Sequence, residues 1–413
     1  MKKREHYLGR IIQWKDTAEL IKVITGVRRC GKSSLLALFR DFLISDGVPQ
    51  GAIVHINFED YALAKVNTHE LLFDYLTEEI HAAKKIHPKT YLLLDEVQRI
   101  DGWERVVNSL RLNRDNDLYL TGSNAQLLSG PLATLLSGRY VELSMFPLSF
   151  REYLEFQGET SFDDVVITEK HFHQYLRWGG FPGLADLPDT ELVYSNYLSG
   201  ILNTVIVKDV IALNAFRDVD LLDKIVRYLA DNIGSFVTAK GIADYLISSG
   251  RSVSTDTVDN YLRALEEAFL FYRSRRNDLR GKGLMKTHNK FFIADLGLRT
   301  LLQGSQASLE GKSLENVVYF ELLRRGYKVS IGKYNALEVD FVAEKPGELH
   351  YYQVTKLMTD ETVRNREFAP LKAISDNHPK TILSAERMLL RDSEDGIEHR
   401  NIVDFLLEEQ AVR

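Results

Sequence analysis

The most constraining feature of this chain of 413 residues lies close to its start. The apolar stretch LIKVIT is followed by Gly26, Val27, Arg28, Arg29, Cys30, Gly31, Lys32, Ser33 and Ser34, and then by the helical LLALFRDFL. This is G-x-x-x-x-G-K-[ST] between a strand and a helix, the setting that gives the motif its physical meaning. Its glycines let the backbone curl until N–H groups and the helix start face phosphate oxygens. Lys32 is then placed to neutralise β and γ phosphates, and the Ser33 hydroxyl to hold Mg²⁺. Residues 26 to 34 are the expected cradle, with ATP and Mg²⁺ as the expected ligands. Arg28 and Arg29 face either phosphate or solvent.

A phosphate loop needs a carboxylate on a neighbouring strand. The run Tyr91, Leu92, Leu93, Leu94 ends in Asp95 and Glu96, which puts both acids at the carboxyl edge of a buried strand, where ligands of such sheets gather. Asp95 is expected to orient a water on Mg²⁺, and Glu96 to polarise the attacking water. The next apolar run, DLYLT, leads into Gly122, Ser123 and Asn124. Asn124 is the candidate sensor of the γ-phosphate, or else an Asx turn after the strand. Arg139 precedes the run YVELSMF. It is a candidate to stabilise the transferred phosphoryl group, in its own chain or from a neighbouring subunit, or else a surface ion-pair partner.

From Leu20 to Leu143 five short apolar runs alternate with helical stretches, the pattern of a parallel sheet covered by helices. The predicted fold class is α/β, with a P-loop parallel-sheet core over residues 1–150. A helical region (151–219) follows, then three helices and a β pair that read as a winged helix-turn-helix (220–308), then a smaller α/β domain (309–413). Hydrophobic residues make up 45% and charged residues 27% of the chain, an ordinary globular balance that removes disordered and fibrous classes. Cys30 is the one cysteine, so no intramolecular disulfide forms and a reducing compartment fits. No signal-peptide core and no run of about 18 apolar residues is evident in the sequence. The expected location is cytoplasmic, without membrane contact.

The ordered set GVRRCGKSS, INFED, YLLLDEVQ, LTGSN, LLSGRY, PLSFREYL and GGFPGL resembles prokaryotic AAA+ P-loop ATPases of the AAA_14/DUF4143 type, over nearly the whole chain. The resemblance implies an AAA+ core, an adjoining winged helix, a nuclease-like C-terminal domain, and a ring or arc of subunits whose boundary Arg139 would reach across. It also implies that Asn57, at the end of INFED's strand, gates the catalytic glutamate.

Two charged regions remain. Arg273, Arg275, Arg276, Arg280, Lys282, Lys286 and Lys290 stand against Asp278 alone, a local charge of +6 within a chain of net charge −6. Such a wing can neutralise phosphates of double-stranded DNA, but the preceding helix DTVDNYLRALEEA is acidic, which suits an interdomain or subunit packing module instead. In the tail, Glu315, Glu338, Asp340 and Gln353 resemble the PD-(D/E)xK nuclease fold. Gln353 stands where a second acid belongs and Thr355 where a lysine belongs, with Lys356 on the opposite strand face. The expectation is a degenerate nuclease-like remnant of Glu315, Asp340 and Gln353. Taken together, the residues predict a Mg²⁺-dependent ATPase whose nucleotide state rearranges the attached domains. The alternatives are a DNA-binding regulator switched by ATP and an ATP-dependent nuclease.

Overall fold

A computed structural model of the chain describes residues 2–128, 138–279, 281, 283–284, 288–304, 311–358, 360–387 and 393–409. The chain divides into two units, one built mainly from residues 1–145 and the other from residues 146–410.

In the first unit the five apolar runs become five parallel strands: β1 (Ile21–Thr25), β2 (Ile53–Asn57), β3 (Thr90–Asp95), β4 (Asn116–Gly122) and β5 (Tyr140–Ser144), in the order β2-β3-β4-β1-β5. The helices are α1 (Glu5–Gln13), α2 (Lys32–Ser45), α3 (His69–Lys84) and α4 (Trp103–Arg111). Side chains alternate across a strand, so Leu92 and Leu94 of β3 and Leu118 and Leu120 of β4 share one face. They pack there with Leu72 and Leu76 of α3 and Val107 and Leu110 of α4. Each such leucine contributes about 1.5–3 kcal/mol by leaving water. The amphipathic α1 buries Tyr7, Leu8 and Ile11. Buried Lys22 pairs with Asp117, whose second oxygen accepts from the Tyr119 hydroxyl.

The second unit opens with helices Phe150–Gln157, Val165–Trp178 and Glu191–Thr204. The last continues through a π-helical segment, Val205–Ile211. The helical stretch Glu191–Asn214 is 24 residues long and holds an 18-residue window of mean hydropathy 1.2, of which 28% is buried. By length and composition alone that helix could cross a membrane, although Asn196, Asn203, Lys208 and Asp209 interrupt it, so it is no continuous apolar run. Helices Val219–Asp231, Ala239–Ser248 and Thr255–Glu267 follow. Gly234 and Gly250 lie just beyond the first two at positive φ, and Ser254 accepts from the Thr257 N–H at the start of the third.

Strands β6 (Phe236–Val237), β7 (Phe271–Ser274) and β10 (Asn289–Ile293) form an antiparallel sheet in the order β6-β10-β7. Between β7 and β10 lie β8 (Arg276–Asp278) and β9 (Gly283–Leu284). These join the eight-stranded sheet of β11 (Lys328–Tyr334), β12 (Leu337–Lys345), β13 (Glu348–Thr355), β14 (Lys380–Ser384), β15 (Ser393–Glu394) and β16 (Ile397–Asn401). β8 pairs in parallel with β11. Segments before and after residue 309 thus share one sheet.

Candidate active site

Gly26 follows β1 directly at φ 145°, and a Cβ there would lie 2.0 Å from the carbonyl oxygen of Met145. Only glycine fits. Gly31, at φ 108°, is the N-cap of α2 and has no side chain with which to cap the first helical N–H groups. A helix start carries partial positive charge and N–H donors, which suits an anion. Lys32 is buried, its Nζ donating to the Gly26 and Val27 carbonyls at 2.9 and 3.2 Å, while Ser33 and Ser34 are exposed in the first turn. Arg4, just before α1, braces the loop by donating to the Cys30 carbonyl at 2.9 Å. Burial pushes the Cys30 thiol up, so it is an inert packing group. Arg28 turns to Glu59 at 3.2 Å, and Arg29, at φ 66°, is exposed. Both arginines leave the loop interior.

Asp95 and Glu96 sit at the carboxyl end of β3. In the strand order β2-β3-β4-β1-β5 only β4 separates them from the loop after β1, a gap of about 10 Å at the usual strand spacing. The Thr121 hydroxyl, on β4, donates to Asp95 and accepts the Glu96 backbone N–H at 3.0 Å. Glu96 adopts a left-handed conformation, φ 57° and ψ 39°, which costs a non-glycine residue about 1–3 kcal/mol. Its Oε2 accepts from Gln98 Nε2 at 2.5 Å and from Ser123 Oγ at 3.2 Å. Two carboxylates are thus held at a strand edge facing a loop of N–H donors and an ammonium. Mg²⁺ keeps several waters and takes one or two carboxylates plus substrate phosphates, and Ser33 with Asp95 matches that demand.

The family described as an AAA domain matches residues 18–154. Residues 169–309 match a domain of unknown function, DUF8612. An uncharacterized protein of Haemophilus influenzae is 40% identical over 407 residues, 98% of each chain. The chain belongs to that protein's family, and its front is an AAA-type P-loop ATPase domain. An uncharacterized protein of Methanocaldococcus jannaschii is 28% identical over 349 residues, spanning 82% of this chain and 76% of its own. The Walker-type ATPase of Pyrococcus abyssi superposes with a TM-score of 0.48 at 16% identity, covering 73% of this chain and 96% of its own.

Within the AAA domain two expectations change. Arg139 is exposed, and its carbonyl accepts from the Ile21 N–H at the amino end of β1. The phosphate loop follows the carboxyl end of that five-residue strand, about 16 Å away at the rise of a strand. Arg139 is therefore not brought to its own chain's phosphate site. Asn124 is buried just after β4, in the position expected of a γ-phosphate sensor, and its neighbour Ser123 donates to Glu96. Asn57 caps its own turn, accepting from the Glu59 N–H at 2.7 Å, and the donors on Glu96 are Gln98 and Ser123. Sequence reasoning missed Thr121, Ser123 and Gln98. All three lie inside the quoted LTGSN and YLLLDEVQ, where a hydroxyl or amide beside paired acids was the available signal.

In the second unit the basic segment is partly consumed by the fold. Arg273 pairs with Glu266 and lies over the Phe291 ring, and Arg276 lies over Phe236. Arg275 is exposed. Arg280, Lys282 and Lys286 fall outside the described residues. Lys290, expected on the nucleic-acid face, is 3% exposed and turns inward. Its Nζ lies 3.0 Å from Glu315, 2.7 Å from Glu338 and 3.9 Å from Asp340. Glu315 and Asp340 share Lys290, and the Asp340 N–H donates to Gln353 Oε1 while Gln353 Nε2 donates to Glu367, both at 3.3 Å. The lysine of this cluster comes from β10, not from position 355 or 356; Lys356 is exposed. Burial pushes the Glu315 and Asp340 carboxyls up. Burial opposes the Lys290 ammonium, but the three acids outweigh it and raise its pKa.

A cleft of about 750 Å³ on the same unit is lined by Lys224, Arg227 and Tyr245, among others. Its two cations are already paired with Asp220 and Asp223, so it offers little unpaired charge to an anion.

Proposed function

We propose that the AAA domain hydrolyses ATP with Mg²⁺ in the crevice between the ends of β1 and β3, and that the nucleotide state drives rearrangement of the second unit. The observation that carries this reading is the juxtaposition across β4 of the helix start bearing Lys32 with Asp95 and Glu96, held by the hydroxyls of Thr121 on β4 and of Ser123 just beyond it. Mg²⁺ supplies charge neutralisation at the phosphates. Ser33 and Asp95 are the residues that would hold it, Asp95 through a water. The Lys32 ammonium transfers from the Gly26 and Val27 carbonyls to β and γ phosphate oxygens. Glu96 orients and polarises the attacking water. Arg139 acts only on the nucleotide of a neighbouring copy, which makes the active form an oligomer. A reducing, cytoplasmic setting suits the lone buried thiol.

Steady-state ATP hydrolysis by wild type, Lys32→Ala and Glu96→Gln tests this, with Mg²⁺ present and then chelated, across a protein concentration series. Turnover above the Lys32→Ala background, a loss of at least tenfold in Glu96→Gln, and specific activity that rises with concentration support it. A smaller loss in Glu96→Gln sinks the assigned mechanism.

Contact with double-stranded DNA is the second reading, favoured by exposed Arg275. With Arg273 and Lys290 committed to carboxylates, fewer phosphates are neutralised than the sequence implies. The salt dependence of binding should therefore be shallow, and absence of binding at low salt removes the reading. The nuclease-like cluster is read as a scaffold, because Lys290 already supplies the positive charge its acids require. Plasmid cleavage lost in Asp340→Ala would overturn that.

A further inference from the structure

Gln98 lies two positions beyond Glu96, and its Nε2 donates to Glu96 Oε2 at 2.5 Å. A carboxylate only accepts, so the amide must present its nitrogen there. Gln98 Oε1 is consequently turned into the protein, where it is buried with no hydrogen-bond partner among the described residues. Buried orphan acceptors are rare and call for an explanation. One residue type with the same shape and no polar atoms, methionine, would avoid the orphan, yet glutamine is present. The neighbouring Glu96 backbone is also held in a left-handed conformation. Two unfavourable features thus fall within three residues, and both serve one outcome, a fixed carboxylate. Ser123 Oγ, from the end of β4, donates to the same Oε2. Glu96 Oε1 has no donor among the described residues and is the oxygen left to accept from water.

Resting on the ATPase reading above, we propose that Gln98 is a positioning residue for hydrolysis. With Ser123 it clamps Oε2 of Glu96 so that Oε1 faces the attacking water. Fixing the acceptor in place avoids reorganisation during the step, the source of much of the benefit of a prearranged site. Gln98 touches neither phosphate nor Mg²⁺ in this role, so its loss leaves nucleotide binding intact and slows turnover.

The test compares wild type with Gln98→Met, Ser123→Ala and Ser123→Thr in the full chain, measuring kcat, KM for ATP, fluorescent-nucleotide affinity and thermal stability. Expected are a kcat at least fivefold lower in Gln98→Met with KM and affinity within twofold, and a melting temperature at or above wild type because the orphan oxygen is gone. Ser123→Ala should slow turnover similarly, and Ser123→Thr should restore it. A purely structural glutamine would move stability and turnover together. If wild type hydrolyses ATP, Glu96→Gln abolishes this, and Gln98→Met turns over within fivefold of wild type, the positioning role is wrong. If wild type does not exceed Lys32→Ala, the ATPase reading itself fails.

Discussion

Lys290 shows how one side chain can change the meaning of a segment. Counted in sequence it belongs to a basic patch; in the fold it is the counter-charge of Glu315, Glu338 and Asp340. Removing one partner of a buried ionic group costs more than the group contributes, because the remaining charges are left uncompensated. Lys290→Met should therefore lower the stability of the second unit by about 3–5 kcal/mol in urea unfolding, and adding Glu315→Gln with Asp340→Asn should recover much of it. Asp295 gives a residue-scale prediction with a pH sign. Burial pushes its carboxyl up to about 7, against the pull of the Gly180 and Gly297 N–H groups and of Arg324. The folded state then holds a proton that the unfolded chain has released, so this group's stabilising contribution falls as pH rises from about 4 to about 7 and is level above. The difference in stability between wild type and Asp295→Asn, followed by urea unfolding across that range, should shrink accordingly; a pH-independent difference would disprove the assignment.

Elements were read well where their signals are local. The five strands of the AAA domain are apolar runs bounded by polar turns, and the phosphate loop is defined by spacing alone. The helix Phe150–Gln157 starts with a capping box, Ser149 with Glu152, and Ser149→Ala should cost about 1 kcal/mol. The motif GGFPGL was quoted without a physical role, and the structure supplies one. A Cβ on Gly179 would lie 1.7 Å from Asp295 Oδ1, and one on Gly180 would lie 2.6 Å from the Leu148 carbonyl oxygen. Gly179 also has φ 76°. The two glycines let the chain approach a buried carboxylate and donate to it through the Gly180 N–H at 2.7 Å. Gly179→Ala should therefore destabilise far more than Ser149→Ala, measured in the same urea series. No spacing rule reveals this, because the partner is 115 residues away.

For the whole molecule, ligand linkage gives a check independent of turnover. A ligand that binds only the folded state stabilises it by about 2.7 kcal/mol at one hundred times its Kd. Mg²⁺ with a non-hydrolysable ATP analogue should raise the melting temperature of the wild type. Lys32→Ala should remove that shift. Arg139 also belongs at this scale: its place at the amino edge of the sheet keeps it from its own chain's phosphate loop.

Residue order by itself was enough for the α/β class, the parallel core, the phosphate loop and the acids Asp95 and Glu96, because these depend on periodicity and on spacing within a few residues of a strand end. Tertiary structure alone decided which donors hold Glu96, which edge of the sheet Arg139 occupies, and where the charge of Lys290 goes. The Ser123 contact to Glu96, the edge position of Arg139 and the partners of Lys290 depend on pairing between segments far apart in the chain. Strand order and register carry that information, and no local pattern encodes them.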